Sequence, residues 1–232
     1  MKIIAMGDIH GRNNWKQIVN NESFDKVVFL GDYFDVYDNI SFEEMKHNFE
    51  DLIEYKRNNL EKVVLLIGNH DYHYMDGVSE KYSRHMGYHK TVLNKLMMDA
   101  MKDNLLQICF IYENMLYVHA GITKTWCNKN LDGDLGGIND LFHMDIKVFG
   151  FTMGRNRSNY GDDITQSPIW VRPYSLLADK IDGFIQVVGH TGQDKIEIGK
   201  DVIFIDVLGT SGEYLIWDDF KISVGKNGSN KN

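Results

Sequence analysis

Five short runs of β-branched and apolar residues in this chain each break off into side chains that bind metals, and no other feature constrains it as much. Lys2 to Met6 runs into Gly7-Asp8-Ile9-His10-Gly11, Lys26 to Leu30 into Gly31-Asp32-Tyr33-Phe34-Asp35, and Lys62 to Ile67 into Gly68-Asn69-His70-Asp71. Leu116 to Val118 runs into His119-Ala120-Gly121, and Ile185 to Val188 into Gly189-His190-Thr191. Runs of this length read as buried strands. A glycine ahead of four of the groups lets the backbone turn without a Cβ clash. The polar side chains can then converge on one crevice beyond the strands' carboxyl ends, the usual site position in α/β sheets.

Aspartate, asparagine and histidine offer oxygen and nitrogen donors, and the set holds no thiolate, which suits Mn, Fe, Zn, Ni or a similar divalent ion. Too many ligands converge for one ion. Two metals about 3.5–4 Å apart, bridged by a carboxylate and a hydroxide, form a clamp for in-line phosphoryl displacement.

Between the early runs lie helical patterns. Trp15, Ile18 and Val19 share one face, and Phe42, Met45, Phe49, Leu52 and Ile53 another, with Ser41 and Glu44 spaced as a capping box. A third pattern covers Thr91 to Lys102, so the first half reads β-α-β-α-β-α. Further strands are expected over Gln107 to Tyr112 and Val202 to Asp206. Tyr112 to Met115 and Trp217 to Phe220 read as hairpin turns. The expectation is an α/β fold of two packed mixed β-sheets, a sandwich flanked by α-helices. Residues 1–224 form a single catalytic domain, with 131–183 an irregular loop region over the site and 225–232 a flexible tail.

Composition narrows the function classes. Against 33 Asp+Glu the chain has 25 Lys+Arg, a net charge of -8, the wrong sign for neutralising nucleic-acid phosphates. Nucleic acid is not expected as a partner, and a nuclease ranks low. Cys109 and Cys127 are too few for a disulfide framework and lack CxxC spacing. No apolar run approaches a membrane span, and MKIIAM meets Asp8 before a signal-peptide core can develop. A cytoplasmic location is expected, with no membrane contact; the oligomeric state is open.

The motifs GDIHG (Gly7 to Gly11), GDxxD (Gly31 to Asp35), GNHD (Gly68 to Asp71), VHAG (Val118 to Gly121) and VGHT (Val188 to Thr191) resemble, in order, those of calcineurin-like metallophosphoesterases. Within them the chain looks most similar to the phosphoprotein phosphatase superfamily, including its bacterial, phage and dinucleoside-tetraphosphate-hydrolase branches. The resemblance implies that Asp8 and His10 bind a first metal and Asp32 bridges both. Asn69, His119 and His190 complete the second metal's coordination, with Asn69 also among the phosphate contacts. A metal-bridging hydroxide attacks phosphorus, His70 protonates the leaving group as general acid, and Asp35 orients His70. A histidine adjacent to a ligand cannot easily bind the same ion, yet can face the substrate. The cofactors implied are two divalent ions, Mn first.

The chain departs from the family in two places. Gly192 stands where many members carry a second histidine in GHxH, so solvent is expected to fill that coordination position. Val36-Tyr37 stands where the phosphatases usually have Arg-Gly, removing a phosphate grip. Arg172, in Trp170-Val171-Arg172, resembles the segment that supplies the other phosphate-binding arginine, and ranks first as a replacement. Arg155 and Arg157 follow, and Arg12 comes last. His47, His73, His85, His89 and His143 fit no motif. Asp71 reads as a loop-fixing carboxylate, and Asp206 resembles a late structural aspartate. The aromatics of 33 to 37 and 82 to 88 read either as a substrate platform or as packing.

The resulting expectation is a phosphatase acting on phosphomonoesters, either phosphoprotein or small phosphoesters. The alternative is a symmetrical dinucleoside tetraphosphate hydrolase. Nuclease or phosphodiesterase activity and a non-catalytic scaffold rank below.

Overall fold

The computed structural model describes residues 1–78, 85–152 and 162–228. Among the described residues eleven strands run in chain order: β1 (Lys2–Met6), β2 (Lys26–Phe29), β3 (Val63–Leu66), β4 (Leu106–Gln107), β5 (Cys109–Tyr112), β6 (Met115–Val118), β7 (Ile185–Val188), β8 (Glu197–Ile198), β9 (Val202–Phe204), β10 (Glu213–Asp218) and β11 (Lys221–Lys226). One sheet has the order β11-β10-β1-β2-β3-β4 and the other β5-β6-β7-β9-β8. Within the first, β1, β2, β3 and β4 are parallel neighbours while β10 and β11 are antiparallel. In the second, β6, β7 and β9 run parallel between antiparallel edges.

Alternation along each strand builds the sandwich. Ile3, Ala5, Val28, Leu30, Val64 and Leu66 of the first sheet meet Met115, Tyr117, Val187 and Ile203 of the second in one apolar layer. The intervening residues, including Ile4, Met6, Phe29, Leu65, Leu116, Val118 and Val188, belong to the outer core, which also takes in the helices. With both faces covered, these strands read as continuous apolar runs. Helices α1 (Trp15–Asn21), α2 (Phe42–Asn58) and α4 (Lys90–Lys102) contribute Trp15, Ile18, Met45, Phe49, Leu52, Leu93 and Met97 to it. The capping box at Ser41 and Glu44 is present in full. A short helix, α3 (Asn69–Tyr72), follows β3 directly.

Three expectations change. The run Gln107 to Tyr112 is divided between the sheets, because Asn139 accepts from the N–H groups of both Ile108 (3.0 Å) and Cys109 (3.1 Å) and donates to the Cys109 carbonyl. That side chain satisfies backbone groups that a continuous ladder would otherwise take. The described parts of segment 131–183 are more than irregular loop: they contain α6 (Ile138–Met144) and α7 (Pro173–Ala178), after α5 (Lys124–Leu131). Buried Ile138, Phe142, Phe149, Ile169 and Leu176 tie it into the outer core. Gly225 and Lys226, expected in the tail, instead pair with Tyr214 and Glu213 in the hairpin.

Both cysteines are free and buried. Among the described residues no helix is long and apolar enough to cross a membrane.

Candidate active site

Every motif residue leaves the carboxyl end of a strand. The first sheet supplies Asp8 and His10 after β1, Asp32 and Asp35 after β2, and Asn69 and His70 after β3; the second supplies His119 after β6, His190 after β7 and Asp206 after β9. His10, Asp32, Asp35 and His190 all adopt left-handed backbone conformations, with φ of 43°, 51°, 59° and 65°. Such residues cost of order 1–3 kcal/mol each and persist where the surroundings over-determine them. Here the surroundings are tight: a Cβ on Gly68 would overlap Asp32 Oδ1, and one on Gly189 would overlap Asp8 Oδ1.

Asp71 explains why the β2 turn holds its shape. Its carboxylate accepts from the backbone N–H groups of Asp32 (2.7 Å), Tyr33 (2.7 Å) and Gly68 (2.9 Å). Burial nevertheless pushes its pKa up to about 7. The loop-fixing reading of Asp71 matches this geometry.

The donor set fits a cation. A carbonyl can only accept, so His10 Nδ1–H donates to Phe34 O (2.8 Å) and His119 Nδ1–H donates to Leu30 O (2.8 Å). Burial holds both imidazoles neutral, with pKa values lowered to about 3. Each Nε2 therefore presents a lone pair. His119 Nε2 faces Asn69 Oδ1 at 3.0 Å and Asp32 Oδ1 at 3.5 Å. His10 Nε2 faces Asp32 Oδ2 at 3.7 Å and Asp8 Oδ2 at 3.9 Å. His190 Nδ1 lies 2.8 Å from Asn69 Oδ1. Burial, and then the charge of Asp206, pushes Asp8 well above the usual carboxylate range; burial and then Asp8 do the same to Asp32. Acceptors turned on one another around buried carboxylates are stabilised by a positive ion. Ligand atoms of Asp8, Asp32 and His119 lie within 4.8 Å of one another, a group able to hold a metal.

Beside this group, His70 Nδ1–H donates to Asp35 Oδ2 (2.9 Å), and Tyr74 Oη–H donates to Asp35 Oδ1. Asp35 is fully buried. The opposite ring nitrogen, His70 Nε2, lies 3.4 Å from Tyr37 Oη. His70 thus has one nitrogen toward a fixed carboxylate and the other toward a cleft of about 460 Å³ lined by Asp8, His10, Asp32, Asn69, Arg172 and His190, among others.

Arg172 is the N-cap of α7, and Pro173 in its first turn supplies a pre-set φ. Its guanidinium donates to His190 O (3.2 Å) and Thr191 Oγ1 (3.1 Å). Arg12, ranked last from the sequence, lines the same cleft. It donates through Nε to Asp38 Oδ2 (2.6 Å), and its guanidinium lies where a Cβ on Gly209 would be. No sequence signal separated it from an ordinary surface arginine, because Asp38 and Gly209 are far apart along the chain. Arg155 and Arg157 lie outside the described residues, as do residues 82 to 84 of the proposed aromatic platform. Asp206 faces the position of the absent histidine: its Oδ2 would be 3.7 Å from a Cβ on Gly192.

A two-sheet sandwich with metal-ligating side chains gathered at its strand ends defines a metallophosphoesterase. A family model described as calcineurin-like phosphoesterase matches residues 1–203. The chain belongs to that family, and it is a hydrolase acting on phosphoesters. Similar solved structures include a cold-active protein-tyrosine phosphatase of a psychrophilic Shewanella species. Its TM-score is 0.68 at 20% identity, covering 97% of this chain and 78% of that one. A protein serine/threonine phosphatase from Saccharomyces cerevisiae has a TM-score of 0.55 at 13% identity, covering 100% and 81%. A metallophosphoesterase from Sphaerobacter thermophilus has a TM-score of 0.55 at 16% identity, covering 97% and 87%. No curated protein matches the sequence.

Proposed function

We propose that this phosphoesterase is a binuclear phosphomonoesterase, acting on phosphoprotein or small phosphoesters. The observation that carries the reading is the His70–Asp35 pair opening onto the same cleft as the acceptor-lined group. Asp8 and His10 would hold a first divalent ion and Asn69, His119 and His190 a second, with Asp32 shared. When bound, two such ions, Mn first with Fe, Zn or Ni as alternatives, neutralise phosphate charge and lower the pKa of the attacking water.

The remaining steps belong to side chains. Arg172, anchored on His190 O and Thr191 Oγ1, holds non-bridging phosphate oxygens. His70 delivers the Nε2 proton to the leaving-group oxygen while Nδ1–H stays on Asp35, whose negative charge stabilises the ring while it is protonated. Arg155 and Arg157 remain candidate phosphate contacts.

Metal analysis combined with a substrate panel in Mn tests this. The panel sets a phosphopeptide and an alkyl phosphate against a symmetrical dinucleoside tetraphosphate and supercoiled plasmid. Two ions per chain with monoester turnover are expected. Faster cleavage of the tetraphosphate would move the assignment to the alternative, and one ion per chain would remove the binuclear reading.

A further inference from the structure

The geometry points to Tyr37 as a phosphate-binding residue: its phenolic O–H donates to a non-bridging oxygen of the phosphoryl group that Arg172 holds. The inference rests on the phosphatase reading only in that a phosphate must enter the cleft.

Tyr33, Phe34 and Tyr37 leave the same turn, yet they differ in placement. Tyr33 and Phe34 are buried, whereas Tyr37 is 45% exposed. A packing aromatic closes off its surface; this one lines the catalytic cleft. Its ring is fixed edge-on to His10, with centroids 4.7 Å apart and planes at 72°. It makes a second edge contact with His70 at 6.0 Å. Two aromatic edges therefore orient the ring and leave its polar end at the reacting region. That end lies 3.4 Å from His70 Nε2, the nitrogen that would face the leaving-group oxygen, in the cleft that Arg172 also lines.

Three hydrogen-bond donors, the Arg172 guanidinium, His70 Nε2 and Tyr37 Oη, thus converge over the acceptor group formed by Asp8, Asp32 and Asn69. A phosphoryl group carries acceptors only, and its non-bridging oxygens remain after His70 and Arg172 have each taken a partner. A phenol is a rigid, neutral donor held by few rotatable bonds. It adds a phosphate contact without placing another cation beside the proposed metal ligands. The side chain of Val36, the residue before it, cannot donate, so among these two side chains a phosphate contact falls to Tyr37.

The test is titration of inorganic phosphate into the Mn-loaded full-length protein, with Tyr37→Phe and Tyr37→Leu beside the wild type. Because hydrogen bonds to charged groups set the scale, Tyr37→Phe is expected to weaken phosphate binding by about 10- to 150-fold. It should lower kcat/KM for an alkyl phosphate by a similar factor, with metal content and Tm unchanged. Tyr37→Leu should lose no more than Tyr37→Phe, since the hydroxyl is common to both deletions. Wild-type phosphate affinity in Tyr37→Phe overturns the inference, as does a loss seen only in Tyr37→Leu, which would assign the effect to the ring. A wild type that binds no phosphate also overturns it. A wild type that binds phosphate but hydrolyses no monoester defeats the substrate reading alone, and the titration still decides the role of Tyr37.

Discussion

His70 Nδ1 lies 2.9 Å from Asp35 Oδ2, and the second oxygen of Asp35 takes both the Tyr74 hydroxyl and the Met86 backbone N–H (3.3 Å). The carboxylate is fixed at both ends, so the imidazole attached to it has one tautomer and one orientation.

From this pair it follows that His70→Asn should keep its full metal content and lose about 10²–10⁴-fold in kcat, the usual cost of removing a general acid. The deficit should shrink with a nitrophenyl ester, whose leaving group needs little protonation. Equal deficits for nitrophenyl and alkyl esters, or loss of metal, would rule out the acid role.

Asp32 faces His10 Nε2 through Oδ2 and His119 Nε2 through Oδ1, and that same Oδ1 accepts the His70 N–H (2.9 Å). Asp32→Asn should therefore abolish metal binding and turnover together. Retention of two ions by metal analysis would refute the shared-ligand assignment.

Asp71→Asn leaves one oxygen where two now serve three N–H groups. Loss of a hydrogen bond to a charged acceptor costs about 1.5–3 kcal/mol. Urea unfolding of the metal-free variant should show a loss of that order. A shift under 0.5 kcal/mol, roughly the range of an unimportant surface substitution, would show that the turn holds itself.

Arg172→Ala should lower kcat/KM by about 10- to 150-fold, from hydrogen bonds of about 1.5–3 kcal/mol to a charged group. Arg172→Lys should recover only part, since an ammonium keeps charge but not the planar fork. Complete recovery by lysine would mean that charge alone acts there.

His73 is buried beside Trp170 and His70, and burial lowers its pKa to about 2. In the unfolded chain it titrates near 6.5. Below that value the unfolded state gains a proton that the folded state refuses, so this contribution is complete above pH 6.5 and lost as pH falls. Each pH unit carries about 1.4 kcal/mol per such group. Urea titrations between pH 6 and 4 should show a shallower loss of stability in His73→Phe than in the wild type. Parallel profiles would show that the ring protonates without unfolding.

The candidate ligand set was legible because Asp, His and Asn each follow an apolar run directly, so neighbouring residues alone carry the signal. Asp71 was legible for the same reason, three residues after Gly68. What escaped depends on distance along the chain. The bond from Met86 to Asp35 spans 51 residues, and nothing near either residue announces it. Ile108 looks like the middle of one strand; only Asn139, packed beside it, makes it the crossing between sheets. Arg12 looked peripheral because the groups that turn it into the cleft, Asp38 and Gly209, belong to other loops. Ile138 and Phe142 were set aside with a Gly-rich stretch, where short helices give too few turns for a clear period.

Asp8, Asp32, His10 and Asn69 come from one sheet, whereas His119 and His190 come from the other. A cation held by Asp8, Asp32 and His119 would work as a rivet through the sandwich. The apolar layer between the sheets resists separation without the ion, but the rivet's strength would vary with how much ion the surroundings supply. Ligation present only in the folded chain adds about 2.7 kcal/mol when free ion is 100 times its dissociation constant. Ion supply would then set the lifetime of the folded chain as well as its catalysis, and starvation for the ion would expose it to proteases before any residue is altered.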